Sequence, residues 1–207
     1  MDHPLNIIRT AVVVKSVNVL TMAYKDIISS QNSQVGMVLK EDNRRNQIVN
    51  QIDSNRKKYK YEYVMGTESG TYNEQFETMG RIDICIYYSP ERYVQQRLSF
   101  ECKRFHSKNS GTAAIEEAYY TEGLKRYYEL KYPCDTGFGG MIAFCEEGDY
   151  KKLKDNILGV LTKHATGEIN DMSTESNHNY LHSFDFLNKD GENIRIISIM
   201  MNFSNCA

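Results

Sequence analysis

Apolar residues along this chain recur with two different periods, and the changes of period mark out its elements. Positions 7–28 are crowded with apolar residues but broken by Arg9, Lys15, Asn18, Lys25 and Asp26. That predicts a folded helix rather than a membrane span, which takes about 20 apolar residues in succession, and no clean small-residue cleavage site marks it as a signal peptide. A second helix is predicted near 40–58. The period then shortens to two, predicting strands at 61–66, 81–88 and 97–105. A long helix follows at 113–131, a buried strand at 140–145 and a helix at 150–164. The chain closes on a hairpin, 180–187 with 194–203, around the turn signal Lys189-Asp190-Gly191. The polar stretch 165–179 reads as a loop, and Gly137-Phe138-Gly139-Gly140 as a loop entering a strand. The middle of the chain therefore runs α-β-β-β-α-β, which implies an α/β fold with a mixed central sheet flanked by helices.

Alternation within two of these strands sorts their side chains. A hairpin of 81–88 with 97–105 centred near Arg92 sets Asp83 opposite Glu101 and Cys85 opposite Ser99. Ile82, Ile84, Ile86, Leu98, Phe100 and Cys102 then share one face, suited to a core. Asp83, Glu101 and Lys103 share the other. Two carboxylates about 5 Å apart repel unless a cation lies between them. A divalent ion with hard oxygen ligands meets that need, and Lys103 adds a positive charge at the same place.

Gly80-Arg81-Ile82-Asp83-Ile84, followed by Phe100-Glu101-Cys102-Lys103-Arg104-Phe105, resembles the signature of the PD-(D/E)xK nuclease superfamily. That family includes restriction endonucleases, Holliday-junction resolvases and nuclease subunits of anti-phage systems, and its common core has the α-β-β-β-α-β order. The resemblance covers about 40–145; Ile82 stands where the family has proline. It implies one nuclease-like domain over 1–207, a restriction-endonuclease-like core with an extra N-terminal helix and a C-terminal hairpin. It also implies Mg²⁺ or Mn²⁺ held by Asp83, Glu101 and the Cys102 backbone carbonyl, with Lys103 acting on the attacking water. The implied function is metal-dependent phosphodiester hydrolysis, in DNA before RNA, in an effector subunit of an anti-phage or restriction-type complex. The alternative is a non-catalytic nuclease-fold subunit that serves as an interaction or nucleic-acid-binding module.

An acidic residue on the preceding helix often completes such a site, and Glu41 is the candidate. Positions 41, 48 and 52 fall within about 20° of one another on a helix, so Glu41 faces inward if Ile48 and Ile52 do. The other reading is that Glu41 and Asp42 complement the helix dipole. Asp42, about 100° round, is expected to point away, and Glu68 is the reserve. Arg104, Lys108, Tyr120, Lys125 and Arg126 are candidates for substrate phosphate. Tyr120, Gly123 and Tyr127 also read as a helix face packed closely on the sheet.

Charge and cysteine content alter this picture little. The net charge is −2, but six basic residues against Asp53 give residues 44–60 a charge of +5, either a solvated helix face or a phosphate contact. Five cysteines without a C-x-x-C pair predict reduced thiols and a cytoplasmic setting. His178 and His182, without an adjacent glutamate, read as surface residues. Expected partners are nucleic acid, a protein such as an ATPase, or a second copy in a homodimer, and no membrane.

Overall fold

The computed structural model describes residues 4–30, 40–72, 78–87, 97–132, 134, 136–172 and 179–204. Its elements, in order, are helices α1 (Pro4–Ser29), α2 (Glu41–Ser54) and α3 (Arg56–Tyr59), then strands β1 (Val64–Tyr72), β2 (Thr78–Tyr87) and β3 (Arg97–Phe105). A helix over 112–128 follows, with α4 (Thr112–Ile115) and α5 (Lys125–Tyr128) joined by a π-helical stretch, Glu116–Leu124. Then come β4 (Phe138–Cys145), α6 (Tyr150–His164), β5 (Asn170–Asp171), β6 (Asn179–Leu187) and β7 (Asn193–Asn202). Seven strands form one mixed sheet in the order β1-β2-β3-β4-β7-β6-β5, with β3, β4 and β7 parallel neighbours. The closing hairpin thus adds to the same sheet.

Helices cover both faces. Val13, Val17, Leu20 and Tyr24 of α1 and Ile48, Val49 and Ile52 of α2 pack on Ile84, Ile86, Leu98, Phe100, Ile142 and Phe144. On the opposite face Ile115, Tyr119, Leu124 and Tyr127 join Leu153, Ile157 and Val160 of α6 over Met141, Ala143, Phe184 and Ile196. Close contact depends on glycine on both faces: a Cβ on Gly123 would lie 2.5 Å from the Met141 methyl, and one on Gly140 2.0 Å from the Phe100 ring. Among the described residues no helix is long and apolar enough to cross a membrane, and Cys85, Cys102, Cys134 and Cys145 are not in disulfides.

Four expectations are corrected. Ile82 packs with the cluster opposite that of Ile84 and Ile86, although its pairing with β1 keeps their register. The supposed loop contains β5, whose Asn170 and Asp171 pair with Ser183 and His182. His182 is buried, since alternation along β6 puts it on the face of Phe184 and Phe186, and burial lowers its pKa; His178 lies outside the described residues. Finally, the basic segment is not simply a solvated face: Arg44 and Arg45 are buried.

Arg44 ties α2 to the sheet. Its guanidinium donates to both oxygens of Glu146, just past β4, at 2.7 and 2.5 Å, and lies 3.7 Å from the Phe203 ring centroid. Both side chains of this ion pair are 0% exposed. Removing one partner of such a pair strands the other charge in the interior. Glu146→Ala is therefore expected to cost about 3–5 kcal/mol of stability, read as a lower urea midpoint; a change below about 1 kcal/mol would contradict the anchoring role.

Candidate functional site

The site begins where two strands part. β2 and β3 pair from Tyr87↔Arg97 to Ile84↔Phe100 and no further, in the register the alternation predicts. Beyond that point the β3 edge presents the N–H groups of Cys102 and Arg104. Carboxylates take the place of a strand: Asp83 Oδ2 accepts from Cys102 N at 2.7 Å and Glu41 Oε2 from Arg104 N at 2.9 Å. A residue's N–H and C=O point to the same edge of a strand, so the Cys102 carbonyl faces this opening as well.

Glu101 and Lys103 stand on the neighbouring face, beside Met141 and Ala143 of β4. Glu101 is 1% exposed and Lys103 8%, and the Lys103 ammonium lies 2.7 Å from Glu101 Oε1. Tyr132 OH is within hydrogen-bond reach of Glu101 Oε2 and of the Arg81 carbonyl, and it accepts from Arg126 Nη1 at 2.6 Å. Leu130 helps place Tyr132. Its φ of 57° puts a non-glycine residue in the left-handed region just past α5, at a cost of about 1–2 kcal/mol. Burial, then the negative charge of Asp83, pushes the Glu101 pKa up to about 7 against the pull of Lys103. Burial also raises that of Glu41; Lys103 opposes the shift and Asp83 adds to it.

Asp83 has its own cation. Arg45 Nη1 donates to Asp83 Oδ1 at 2.9 Å, and Nη2 lies 3.3 Å from Asp42 Oδ1. The carboxylates open into a cavity of about 380 Å³ lined by Glu41, Asp83, Glu101, Lys103, Arg81, Arg126, Lys131 and Asp42. A second cavity, of about 520 Å³, shares Glu41, Asp42 and Lys103 with the first and continues past Lys40, Arg104, Asn109 and Glu122.

The structure thus brings together Asp83, Glu101, Lys103, Glu41 and Arg126, with Arg104 along the second cavity. Asp42, expected to point away, lines both cavities, because the first turn of α2 ends over the β3 edge. Tyr120 is not brought to the carboxylates: its ring stacks on His164, centroids 3.5 Å apart. Lys125 pairs with Glu129 at 3.7 Å, and Lys108 is exposed in the turn after β3. The Glu68 side chain lies outside what is described.

Sequence reasoning missed Arg45, Arg81, Lys131 and Tyr132. A signal for Arg45 was present: positions 41, 44, 45, 48, 49 and 52 follow the helical spacing of one inward face. Tyr132 had no such signal, because it depends on the rare backbone state of Leu130. Among the described residues no three His, Cys, Asp or Glu side chains are gathered as a ready metal-binding set; arginine, lysine and tyrosine occupy the carboxylate oxygens instead. Comparison with models of known families, with characterised proteins and with solved structures finds no match.

Glu101 makes the fold sensitive to pH in a definite direction. Its folded pKa, about 7, is above the ordinary value of 4.5, so the folded protein binds this proton more tightly than the unfolded chain does. The resulting stability is fully present below about pH 4.5 and is lost as pH rises through about 7. In chelator, wild-type stability relative to Glu101→Gln should therefore fall between about pH 5 and 7, by roughly 3 kcal/mol at most. Denaturant melts of both proteins across that range check this; parallel curves contradict it.

Proposed function

We propose that this chain is a divalent-metal-dependent nuclease of the PD-(D/E)xK type that hydrolyses phosphodiester bonds, in DNA before RNA. The observation that carries the reading is the meeting of Asp83, Glu101, Lys103 and Glu41 at the open edge of β3, around one cavity. The α2-β1-β2-β3-helix-β4 order, with β3 and β4 parallel, agrees with the core order that the resemblance implies.

The residues present suit a hard cation. Burial and the charge of Asp83 both raise the pKa of Glu101 and of Glu41, and an added positive charge relieves that repulsion. Asp83, Glu101 and the Cys102 carbonyl, with Glu41, would hold Mg²⁺ or Mn²⁺. When bound, the ion supplies Lewis acidity, polarising a phosphate oxygen and acidifying a water. The chain's own groups do the rest. Lys103 orients the attacking water and offsets charge that builds on the phosphate. Arg45 fixes Asp83 on the β3 edge. Tyr132 holds Glu101 in place, and Arg126, a third exposed, can turn its guanidinium to a phosphate oxygen. On this reading cleavage has low sequence specificity or takes its specificity from a partner such as an ATPase.

One observation favours a second reading. Arg45 lies on Asp83, and Lys103 and Arg126 on Glu101, so the carboxylates are already neutralised by the protein itself. In that case the chain is a non-catalytic nuclease-fold subunit that binds nucleic acid or a protein partner. Digestion of linear, circular and single-stranded DNA and of RNA separates the two. Under the first reading cleavage needs Mg²⁺ or Mn²⁺ and stops in chelator. Glu101→Gln and Lys103→Gln each lower the rate by about 10²-fold or more while remaining folded. Undiminished cleavage by Glu101→Gln contradicts the assignment, and a wild-type protein inert on every substrate supports the second reading.

A further inference from the structure

The two cavities share Glu41, Asp42 and Lys103 as lining residues, so they adjoin at the β3 edge as the two arms of one trough. Their volumes, about 380 and 520 Å³, each fall in the range of about 300–1,000 Å³ that holds a ligand the size of a single nucleotide. Cations stand along both arms: Arg81, Arg126 and Lys131 beyond one side of Lys103, Lys40 and Arg104 beyond the other. At the floor, Glu101 is 1% and Lys103 8% exposed. A phosphate must enter the trough to reach them. A strand backed by its paired complement brings that complement with it, whereas an unpaired strand can lie along the trough.

Resting on the reading of this site as a phosphodiester-cleaving centre, we infer that the substrate is single-stranded nucleic acid, threaded with one nucleotide on each side of Lys103 and its flanking phosphates on the two basic arms. Acidic Asp42 and Glu122 also line the trough. Affinity therefore depends on the balance that the basic arms supply, and a bound divalent ion shifts the balance towards the phosphates. Among the described residues neither cavity has an aromatic lining residue, so these residues offer the bases no stacking platform of the kind that gives many single-strand binders their grip. Recognition runs through the backbone, and base composition matters little.

The test uses a fluorescein-labelled 12-residue DNA strand, alone or annealed to its complement, in Ca²⁺, which occupies oxygen sites but activates water poorly. Anisotropy titrations are expected to show at least tenfold tighter binding of the single strand, with poly-dT and poly-dA strands within threefold of each other. Arg81→Gln on one arm and Lys40→Gln on the other should each reduce the slope of log affinity against log salt by about 0.7, the value for one lost phosphate contact. Loss of a merely structural residue would leave that slope unchanged. Equal binding of duplex and single strand, or no binding of either, overturns the inference. A parallel digestion in Mg²⁺ separates this result from the parent reading. Tight single-strand binding without cleavage of any substrate rejects the nuclease and keeps the trough. Cleavage of duplex as fast as single strand rejects the trough and keeps the nuclease.

Discussion

Two backbone N–H groups on the edge of β3, those of Cys102 and Arg104, are bonded by side-chain carboxylates where β2 has left the ladder, and the rest of the site follows from that. A buried donor left without an acceptor costs about 1–3 kcal/mol, so the fold must supply acceptors where β2 departs. It supplies carboxylates, Asp83 to Cys102 and Glu41 to Arg104. Their charges sit close to Glu101 in poorly solvated surroundings, and cations must then follow: Arg45, Lys103 and Arg126. The same opening that breaks the ladder thus concentrates acids and bases around one cavity.

Helix α2 links this chemistry to the stability of the fold. Its inner face carries Ile48, Val49 and Ile52 into the core, Arg44 to Glu146 and Arg45 to Asp83, while Glu41 at its first turn caps β3. Glu146 follows β4 directly, with its N–H bonded to the Phe105 carbonyl at the end of β3. The Arg44–Glu146 pair therefore fixes the helix against the two strands whose edge forms the site. Whatever shifts α2 changes the carboxylates and their cations together.

Much of this arrangement was legible in the sequence, for reasons specific to each part. Period-two alternation set the register of Cys85 against Ser99, because a slip of one residue would have moved every side chain to the other face. The ladder ends at Ile84, so Asp83 and Glu101 meet beside it rather than as a pair within it. The bounds of β3 and α6 likewise followed from clean apolar patterns. Arg44 and Arg45 were misread because charge was counted along the chain rather than around the helix. No local pattern announces Glu146 as the partner of Arg44, since the two are 102 positions apart. Tyr132 arrives through the left-handed Leu130, a conformation that leucine does not advertise.

We propose that the carboxylates at the open edge of β3 form one divalent-cation site, with the internal cations of the protein as its balance. Calorimetric titration of Mn²⁺ into chelator-treated protein tests this. Saturable binding is expected, abolished by Asp83→Asn and shifted to higher Mn²⁺ by Glu41→Gln. No saturable binding, or binding that both variants leave unchanged, would contradict it.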